Sequence, residues 1–537
     1  LPKASHSYDG AHGWNTEWPR IRDVGTDAQP DYLMTMHGLF WRFPATFTSG
    51  NSAGIRPRSA YLKVIGDFAR WNDQLVFGCD DSAQKEFLNK RKAKGGIEGP
   101  GQSNSNLWFT SLSRPDELGP ATAEGAVWKA ESVDAGEVSE PFLFDGWAIR
   151  TCWIENRGAQ PVTFTFETDV AGNDSWRVLK SVAVPAADAV HVAFLPEEKG
   201  EWVRVRTDAR TVATVSFNYA SPDRRPPVAP DGIFAGLTSV ESSRSLGGLL
   251  YGLGDNRRAL GLLACSITGN GETTETGYYE MGDRLTLTRT DDAKTSDFIR
   301  TRFAIPRQAV TVDDASALIV DDLGRRWRLP LGNEAFAPLT NSGALRICRE
   351  VATERDLFNC LGAFYELPAE NADGYAKIRP VASHNFRIHD YASYRGMIVL
   401  TGVTPEEGRS NPHIIVSDDR KAAVWVGVID DLWQLGKPVG HGGPWKNTQV
   451  NAGEKSDPYL CGFYDKKSLS LSHQSDKDVV FTIEADPTGN GDWMKYAACT
   501  VKSGETWKHT FPDTFQARWI RFTSGVTAVV TAWLEYE

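Results

Sequence analysis

An internal duplication is the feature that most constrains the fold. The segment GAVWKAESVDAGEVSEPFL at residues 125–143 returns as GGPWKNTQVNAGEKSDPYL at residues 442–460, an offset of 317 residues. The same offset holds without a gap from residues 107–219 to residues 424–536. Self-similarity at a fixed period is typical of repeat architectures, in which each unit buries its apolar face against a neighbour.

The repeat continues upstream in a changed register. At an offset of 323 residues, AGIRPRSAYLKVIGDF (53–68) faces AKIRPVASHNFRIHDY (376–391). One further single-residue shift aligns HGLFWRFP (37–44) with LGAFYELP (361–368). The duplication therefore reaches well beyond the segment that first reveals it.

The composition favours an all-β protein. The chain has 537 residues, of which 41% are hydrophobic, and it is rich in Trp (18), Gly (49) and Pro (28). Short runs of β-branched and aromatic residues recur between turn residues, whereas helical periodicity is scarce. A chain of this length can bury a large core, so we expect a folded protein with little helix.

Residues 31–219, duplicated as 356–536, contain about twelve short strands, which we place in three groups of four. Four strands per unit is typical of a propeller blade. With one central blade from the region between the copies, the sequence predicts a seven-bladed β-propeller. The alternative is a propeller with β-sandwich modules, in which residues 176–219 and 493–536 are halves of small sandwiches.

This interpretation also sets the domain boundaries. They are an N-terminal segment (1–30), a first three-blade arm (31–220), a central blade region (221–355) and a second three-blade arm (356–537).

Charge and cysteine usage exclude several classes of protein. The net charge of −11 argues against a nucleic-acid binder, and no run of about 20 apolar residues is present to span a membrane. The seven cysteines include no C-x-x-C pair. Leu1 opens the chain in place of Met, which fits a mature exported chain. We expect a secreted or periplasmic protein that is a monomer or a weak oligomer.

Residues that both copies share are expected to form scaffold, so function should lie where the copies differ. His37 faces Leu361 and is placed on an innermost strand beside a central channel. This position makes His37 a candidate catalytic residue. The alternative is a hydrogen-bonded core histidine.

The first copy carries a cationic loop at residues 80–104. Its basic residues are Lys85, Lys90, Arg91, Lys92 and Lys94. In a propeller this loop opens beside the one that carries Arg56 and Arg58, so the two would form a rim that attracts an anionic group. Glu98, a candidate acid, and Gln102, a candidate binding residue, lie among glycines in the same loop. The alternative is a solvated run of charge.

The densest acid–base grouping lies in the second copy. Its members, within eight residues, are His384, Arg387, His389, Asp390 and Tyr391. His and Tyr can exchange protons with a sugar, and Arg can neutralise a neighbouring carboxylate. The alternative for this group is a hydrogen-bonded core.

The central region offers a different chemistry. Asp255, Glu272, Glu275 and Glu280 are candidates for the two carboxylates that glycoside hydrolysis usually needs, and Arg257 is a candidate substrate ligand. The same glycine-rich stretches are also ordinary turn signals.

A Trp-rich propeller with a cationic loop and a His, Arg and Tyr set resembles the propeller carbohydrate-active enzymes, among them ulvan lyases, rhamnose–glucuronate lyases and related rhamnosidases. That resemblance implies an enzyme that cleaves an acidic polysaccharide, rich in uronate and rhamnose, by β-elimination. An arginine would neutralise the uronate, a His or Tyr would abstract the C5 proton, and another would protonate the departing O4.

Two alternatives stay open. A glycoside hydrolase would use a carboxylate pair on the same fold, and a non-catalytic propeller would only bind the glycan. We expect no required cofactor, and a structural Ca²⁺ ion is left open.

Overall fold

The computed structural model describes residues 1–4, 19–79, 81, 91–92, 96–97, 106–253, 259–352, 355–408 and 410–537. Strands account for 51% of the chain and helices for 7%, which confirms the all-β prediction. The strands form many small antiparallel sheets, and no closed barrel or propeller is detected among the described residues.

The first copy begins with two small sheets. The first has the order β1-β2-β3-β4, and the second the order β5-β6-β9, while β7 and β8 pair separately. These strands are β1 (Arg20–Asp23), β2 (Tyr32–Met36), β3 (Leu39–Phe43), β4 (Arg56–Ala60), β5 (Ile65–Trp71), β6 (Gln74–Cys79), β7 (Arg91–Lys92), β8 (Gly96–Ile97) and β9 (Asn106–Ser111). The two sheets pack face to face through Phe40 and Phe77, whose ring centroids lie 5.4 Å apart.

An eight-stranded sandwich follows. Its strands are β10 (Thr122–Val133), β11 (Phe142–Leu143), β12 (Ile149–Asn156), β13 (Val162–Asp169), β14 (Trp176–Val184), β15 (Asp188–Phe194), β16 (Trp202–Thr207) and β17 (Thr211–Ala220). One sheet has the order β10-β17-β12-β15 and the other β11-β16-β13-β14. Phe142 stacks on Phe217 at 5.0 Å, and Phe166 meets Phe194 edge-on at 5.3 Å, so the two sheets enclose one core.

The region between the copies forms a sheet of order β18-β19-β20-β21 and a three-stranded extension, β22-β23-β24. Its elements are β18 (Arg244–Gly252), β19 (Leu260–Thr268), β20 (Thr273–Met281), β21 (Leu287–Arg289), α1 (Ala293–Arg302), β22 (Thr311–Val312), β23 (Ala317–Val320), β24 (Arg326–Leu329) and α2 (Phe336–Ser342). Helix α1 begins after Asp292, whose side chain accepts a hydrogen bond from the Thr295 backbone and so caps the helix.

The second copy repeats the sheet order of the first, with a fourth strand in the sheet that matches β5-β6-β9. The small sheets have the orders β25-β26-β27-β28 and β29-β30-β32-β31, and the sandwich sheets have the orders β33-β40-β35-β38 and β34-β39-β36-β37. Strand β24 pairs with β34 and so joins the three-stranded extension to the second sandwich.

The strands of the second copy are β25 (Cys348–Ala352), β26 (Arg355–Cys360), β27 (Ala363–Pro368), β28 (Arg379–Ser383), β29 (Tyr391–Tyr394), β30 (Met397–Leu400), β31 (Ile414–Val416), β32 (Ala423–Gly427), β33 (Gly440–Val450), β34 (Tyr459–Leu460), β35 (Lys467–His473), β36 (Val479–Asp486), β37 (Met494–Val501), β38 (Thr506–Thr510), β39 (Trp519–Ser524) and β40 (Ala528–Tyr536). Short 3₁₀ turns lie at Arg114–Asp116, Gly232–Phe234, Glu370–Ala372, Gly374–Lys377 and Ile429–Gln434.

The prediction of three blades per arm is wrong. Grouped by fours along the chain, β9, β10, β12 and β13 would form the second blade and β14–β17 the third. Strand β12 instead pairs with β15 and β17, and these strands form the sandwich of the alternative prediction. Strand β9, assigned to the second blade, pairs with β6. The alternation of apolar residues fixes which face of a strand is buried, but it does not identify the strand's partner.

Matching sheets of the two copies differ in whether another sheet packs on their outer face. In the second copy β29–β32 is buried on both faces, because the apolar face of β18–β21 packs on Tyr394, Val424 and Val426. The matching face of β5, β6 and β9 exposes Trp71 and Phe109, which are 65% and 51% accessible.

The structure extends the duplication to the first residues of the chain. Lys3 forms a β-bridge to Glu124, and Leu331 forms the matching bridge to His441 in the second copy. The segments LPKA (1–4) and LPLG (329–332) therefore correspond.

All seven cysteines are free thiols. No helix within the described ranges is long and apolar enough to cross a membrane.

Candidate functional site

The predicted acid–base group is dispersed in the core. His384 is buried, its Nδ1 accepts a hydrogen bond from the Phe386 backbone (3.1 Å), and its Nε2 lies 3.0 Å from Asn359 Oδ1. This pattern makes Nε2 the protonated nitrogen, so it donates to Asn359. Burial lowers the pKa of His384 to about 3. Both nitrogens of a neutral ring are thus engaged, which leaves no free base.

Asp390 is also held inside the protein. Arg346 Nε and Arg349 Nη1 lie 2.8 and 2.9 Å from its carboxylate. Burial opposes ionisation of Asp390, but the two guanidinium groups outweigh it and lower the pKa to about 2. The pair of arginines therefore neutralises a buried anion of this chain.

The remaining members of the group also have internal partners. Arg387 donates to the backbone carbonyls of Val240, Ser242 and Thr268. His389 Nδ1 lies 2.9 Å from the carbonyl of Ala344. The Tyr391 hydroxyl donates to the carbonyl of Leu357 at 2.7 Å and lies 3.0 Å from that of Ile347. All three side chains are buried. The contacts are those of the alternative interpretation, a hydrogen-bonded core.

His37 does not lie on a strand beside a channel. It is the first residue of a two-residue turn between β2 and β3, with φ of 56°, followed by Gly38 with φ of 77°. Leu361 and Gly362 form the same turn in the second copy. Positive φ at both central residues is the requirement of a type I′ hairpin turn, so the position is structural.

The predicted cationic rim is internally neutralised where the structure describes it. Arg56 makes a bidentate pair with Glu201, at 2.7 Å for each bond, and Arg58 pairs with Asp31 and Asp116. Lys92 belongs to the short strand β7. Seven other predicted residues, Lys85, Lys90, Lys94, Glu98, Gln102, Asp255 and Arg257, lie outside the described residues.

A cavity of about 580 Å³ lies where the second sandwich, β27–β28 and the 227–239 segment meet. Buried residues form its floor, among them Leu361, Tyr365, His384, Leu435 and Tyr536. Its rim is polar and exposed, with Asp231, Ser239, Asn385, Glu407 and Glu535. A concave site of this size, with an apolar floor and a few polar groups around it, is typical of small-molecule binding.

Three lining residues give the cavity its chemistry. His441 on β33 and Glu535 on β40 are direct cross-strand partners, which places a base and an acid side by side. Phe386 lines the same cavity, is half-buried and stacks on His384 with a centroid distance of 6.1 Å. The cavity can therefore offer an aromatic face and hydrogen-bonding groups to one ligand.

Of the predicted site residues that the structure describes, His384 alone lines this cavity, and sequence reasoning missed the other three. The signal was present, because the first copy has Lys63, Glu124 and Asn218 in place of Phe386, His441 and Glu535. The two copies differ at these positions. The three residues lie far apart in the sequence, however, so they form no local cluster that sequence analysis could detect.

No group of three or more His, Cys, Asp or Glu side chains is arranged for a metal ion within the described part of the chain. The expectation of a Ca²⁺ site stays untested.

No model of a known protein family matches the sequence, and no curated protein matches it. Among solved structures, PirA is 18% identical over 20% of this chain and 94% of its own length, with a TM-score of 0.12. The PBSX exported protein XepA is 8% identical (84% and 98% covered, TM-score 0.15), and a CBM4 structure is 10% identical (40% and 100%, TM-score 0.11). The resemblance to the propeller carbohydrate-active enzymes stays a prediction.

Proposed function

We propose that the protein binds a neutral glycan in the 580 Å³ cavity. The observation that carries the proposal is the combination of Phe386 with a rim of amide, hydroxyl and carboxylate groups around a buried floor. A sugar has an apolar face of C–H groups and a ring of hydroxyls around it. An aromatic side chain can pack on the C–H face while polar groups hydrogen-bond to the hydroxyls. Eight-stranded sandwiches also serve as lectin scaffolds, although the fold alone does not fix a function.

The charge of the rim favours a neutral sugar over an acidic one. Asp231, Glu407 and Glu535 all line the cavity, and a uronate carboxylate would meet like charge there. Arg387, the arginine predicted to neutralise a uronate, is buried, and its two terminal nitrogens donate to backbone carbonyls. Cleavage of an acidic polysaccharide by β-elimination therefore stays a sequence-based prediction with little support from this site.

The test is a binding screen of the purified protein against neutral and uronate-containing plant and algal oligosaccharides, followed by calorimetry. We expect a neutral ligand whose affinity falls about tenfold in Phe386→Ala, since about 1–1.5 kcal/mol of aromatic contact is lost. Phe47→Ala is the matched control, because it removes an exposed ring that does not line the cavity. Preferential binding of uronate ligands, or equal affinity in both variants, would contradict the proposal.

Hydrolysis is the second candidate, because Glu407 and Glu535 line the same cavity and glycosidases usually work with two carboxylates. Release of reducing ends from a bound ligand, abolished in both Glu535→Gln and Glu407→Gln, would establish it. Binding without such release would leave a glycan-binding protein. An ultraviolet-absorbing unsaturated product would instead restore the elimination prediction.

A further inference from the structure

A second cavity, of about 210 Å³, lies where the two copies meet and shares no lining residue with the first. The first copy contributes Glu124 and Ser216 from its sandwich. The second copy contributes Lys377, Arg379 and Arg518, together with Glu366. The wall is therefore built from both halves of the molecule.

Positive charge is in excess in this wall. Lys377, Arg379 and Arg518 are 8%, 4% and 5% accessible. Glu124 is shared between Lys377 (3.7 Å) and Arg518 (3.2 Å). Buried charges are costly unless they are paired, so a surplus of cations here calls for a further anion.

The second carboxylate is shared in the same way. Glu366 lies 2.6 Å from Arg379 and 3.2 Å from Arg355, which is also buried. Glu124 and Glu366 are thus each shared between two of these cations. Burial, with Arg355 and Arg518 nearby, lowers the pKa of Arg379 despite its pairing with Glu366.

Donors are also left over. The Nε atoms of Arg379 and Arg518 are buried and have no hydrogen-bond partner within the part of the chain that the structure describes. Buried donors in folded proteins are nearly always paired, and guanidinium groups match oxyanions best. Two such donors at the wall of one cavity indicate a missing acceptor.

Comparison of the copies shows that charges are rearranged at this place, where Glu366 also stands at the position of Arg42. The position of Arg379 corresponds to Arg56, and that of Arg518 corresponds to Glu201. In the first copy these two residues form a bidentate ion pair, Arg56 with Glu201, at 2.7 Å for each bond. In the second copy the same location holds two arginines. A neutral pair in one half has become a cationic pair in the other.

We propose that this cavity binds a small oxyanion, namely a sulfate, phosphate or carboxylate group, either free or carried by a sugar. The exposed side chains of Lys3 and Lys129 lie at its mouth and add to the attraction. The proposal does not depend on neutral-glycan binding at the larger cavity.

The experiment measures calorimetric affinity and the thermal midpoint of the full chain with sodium sulfate, sodium phosphate, galacturonate and a sulfated monosaccharide. Sodium chloride at matched ionic strength and galactose are the blanks. We expect at least one oxyanion to bind with saturation and to raise Tm by a few degrees, since a ligand of the native state stabilises it. Tighter binding of sulfate or phosphate would indicate a free anion as the ligand, and tighter binding of galacturonate or the sulfated sugar would indicate an anion carried by a sugar.

Arg518→Glu recreates the ion pair of the first copy and is expected to lower the oxyanion affinity at least about tenfold. Arg521→Gln, which removes a cation paired with Glu484 outside the cavity, should leave that affinity unchanged. If Arg518→Glu does not fold, as judged by circular dichroism, Arg518→Gln takes its place. No saturable binding, or equal loss of affinity in Arg521→Gln, would overturn the proposal.

Discussion

Asp67 and Asp390 occupy matching positions in the two copies, but their surroundings differ. Asp390 is fully buried between Arg346 and Arg349. Asp67 pairs with Arg22 at 2.7 Å, and both of those side chains are about half exposed. Since water screens an exposed pair and a buried charge depends on its partners, the same residue has a different energetic role in each copy.

This difference gives a matched pair of substitutions. Asp390→Asn leaves two buried guanidinium groups without their anion and should lower the free energy of unfolding by about 3–5 kcal/mol. Asp67→Asn should lower it by less than about 1 kcal/mol. Urea denaturation of both variants measures the two values. Equal effects would show that Asp390 is not the structural anion inferred here.

Matching sheets of the two copies also differ in their surroundings. The pair in question is the sheet of β5, β6 and β9 and its counterpart β29–β32. Both present an apolar outer face, but only the second is covered by β18–β21. Trp71 and Tyr394 are matching residues on these faces, 65% and 1% accessible respectively. The cover therefore converts a surface residue into a core residue without a change of strand pattern.

The expected consequence is a large difference in the cost of truncation. Tyr394→Ala opens a cavity between two packed sheets and should lower the free energy of unfolding by about 3–5 kcal/mol. Trp71→Ala removes a ring that is mostly in water and should change it by no more than about 1 kcal/mol. Chemical denaturation of the two variants checks the contrast. A cost for Trp71→Ala as large as that for Tyr394→Ala would mean that its face is also covered in solution.

Strand content could be predicted from the sequence, because the alternation of apolar residues and the recurrence of turn residues are local signals. The sandwiches could not be predicted with certainty, because pairing such as that of β12 with β17 joins strands far apart in the chain. The same limit applies to the site. His384, His389 and Tyr391 lie close together in the sequence and therefore suggest an acid–base site. Only the tertiary structure shows that their side chains are buried.

At the scale of the whole molecule, the two sandwiches are joined by a side chain that crosses between them. Trp153 of β12 is fully buried within the core of the second sandwich, where its Nε1 donates to the Gln516 carbonyl at 2.8 Å. Phe515 meets its ring edge-on at 5.9 Å. The second copy has Ser470 at the matching position, so it has no equivalent tryptophan to insert into the first sandwich.

The insertion of Trp153 predicts that the halves unfold together. Trp153→Ala should lower the free energy of unfolding by about 3–5 kcal/mol and separate the thermal transition into two, because it removes core from the second sandwich and contact between the halves. Trp176→Ala is the control, since that half-buried ring stacks on Arg204 at the edge of the first sandwich. Scanning calorimetry distinguishes one transition from two. A single transition with an unchanged midpoint in Trp153→Ala would show that the sandwiches are coupled through other contacts, such as that between Glu124 and Arg518.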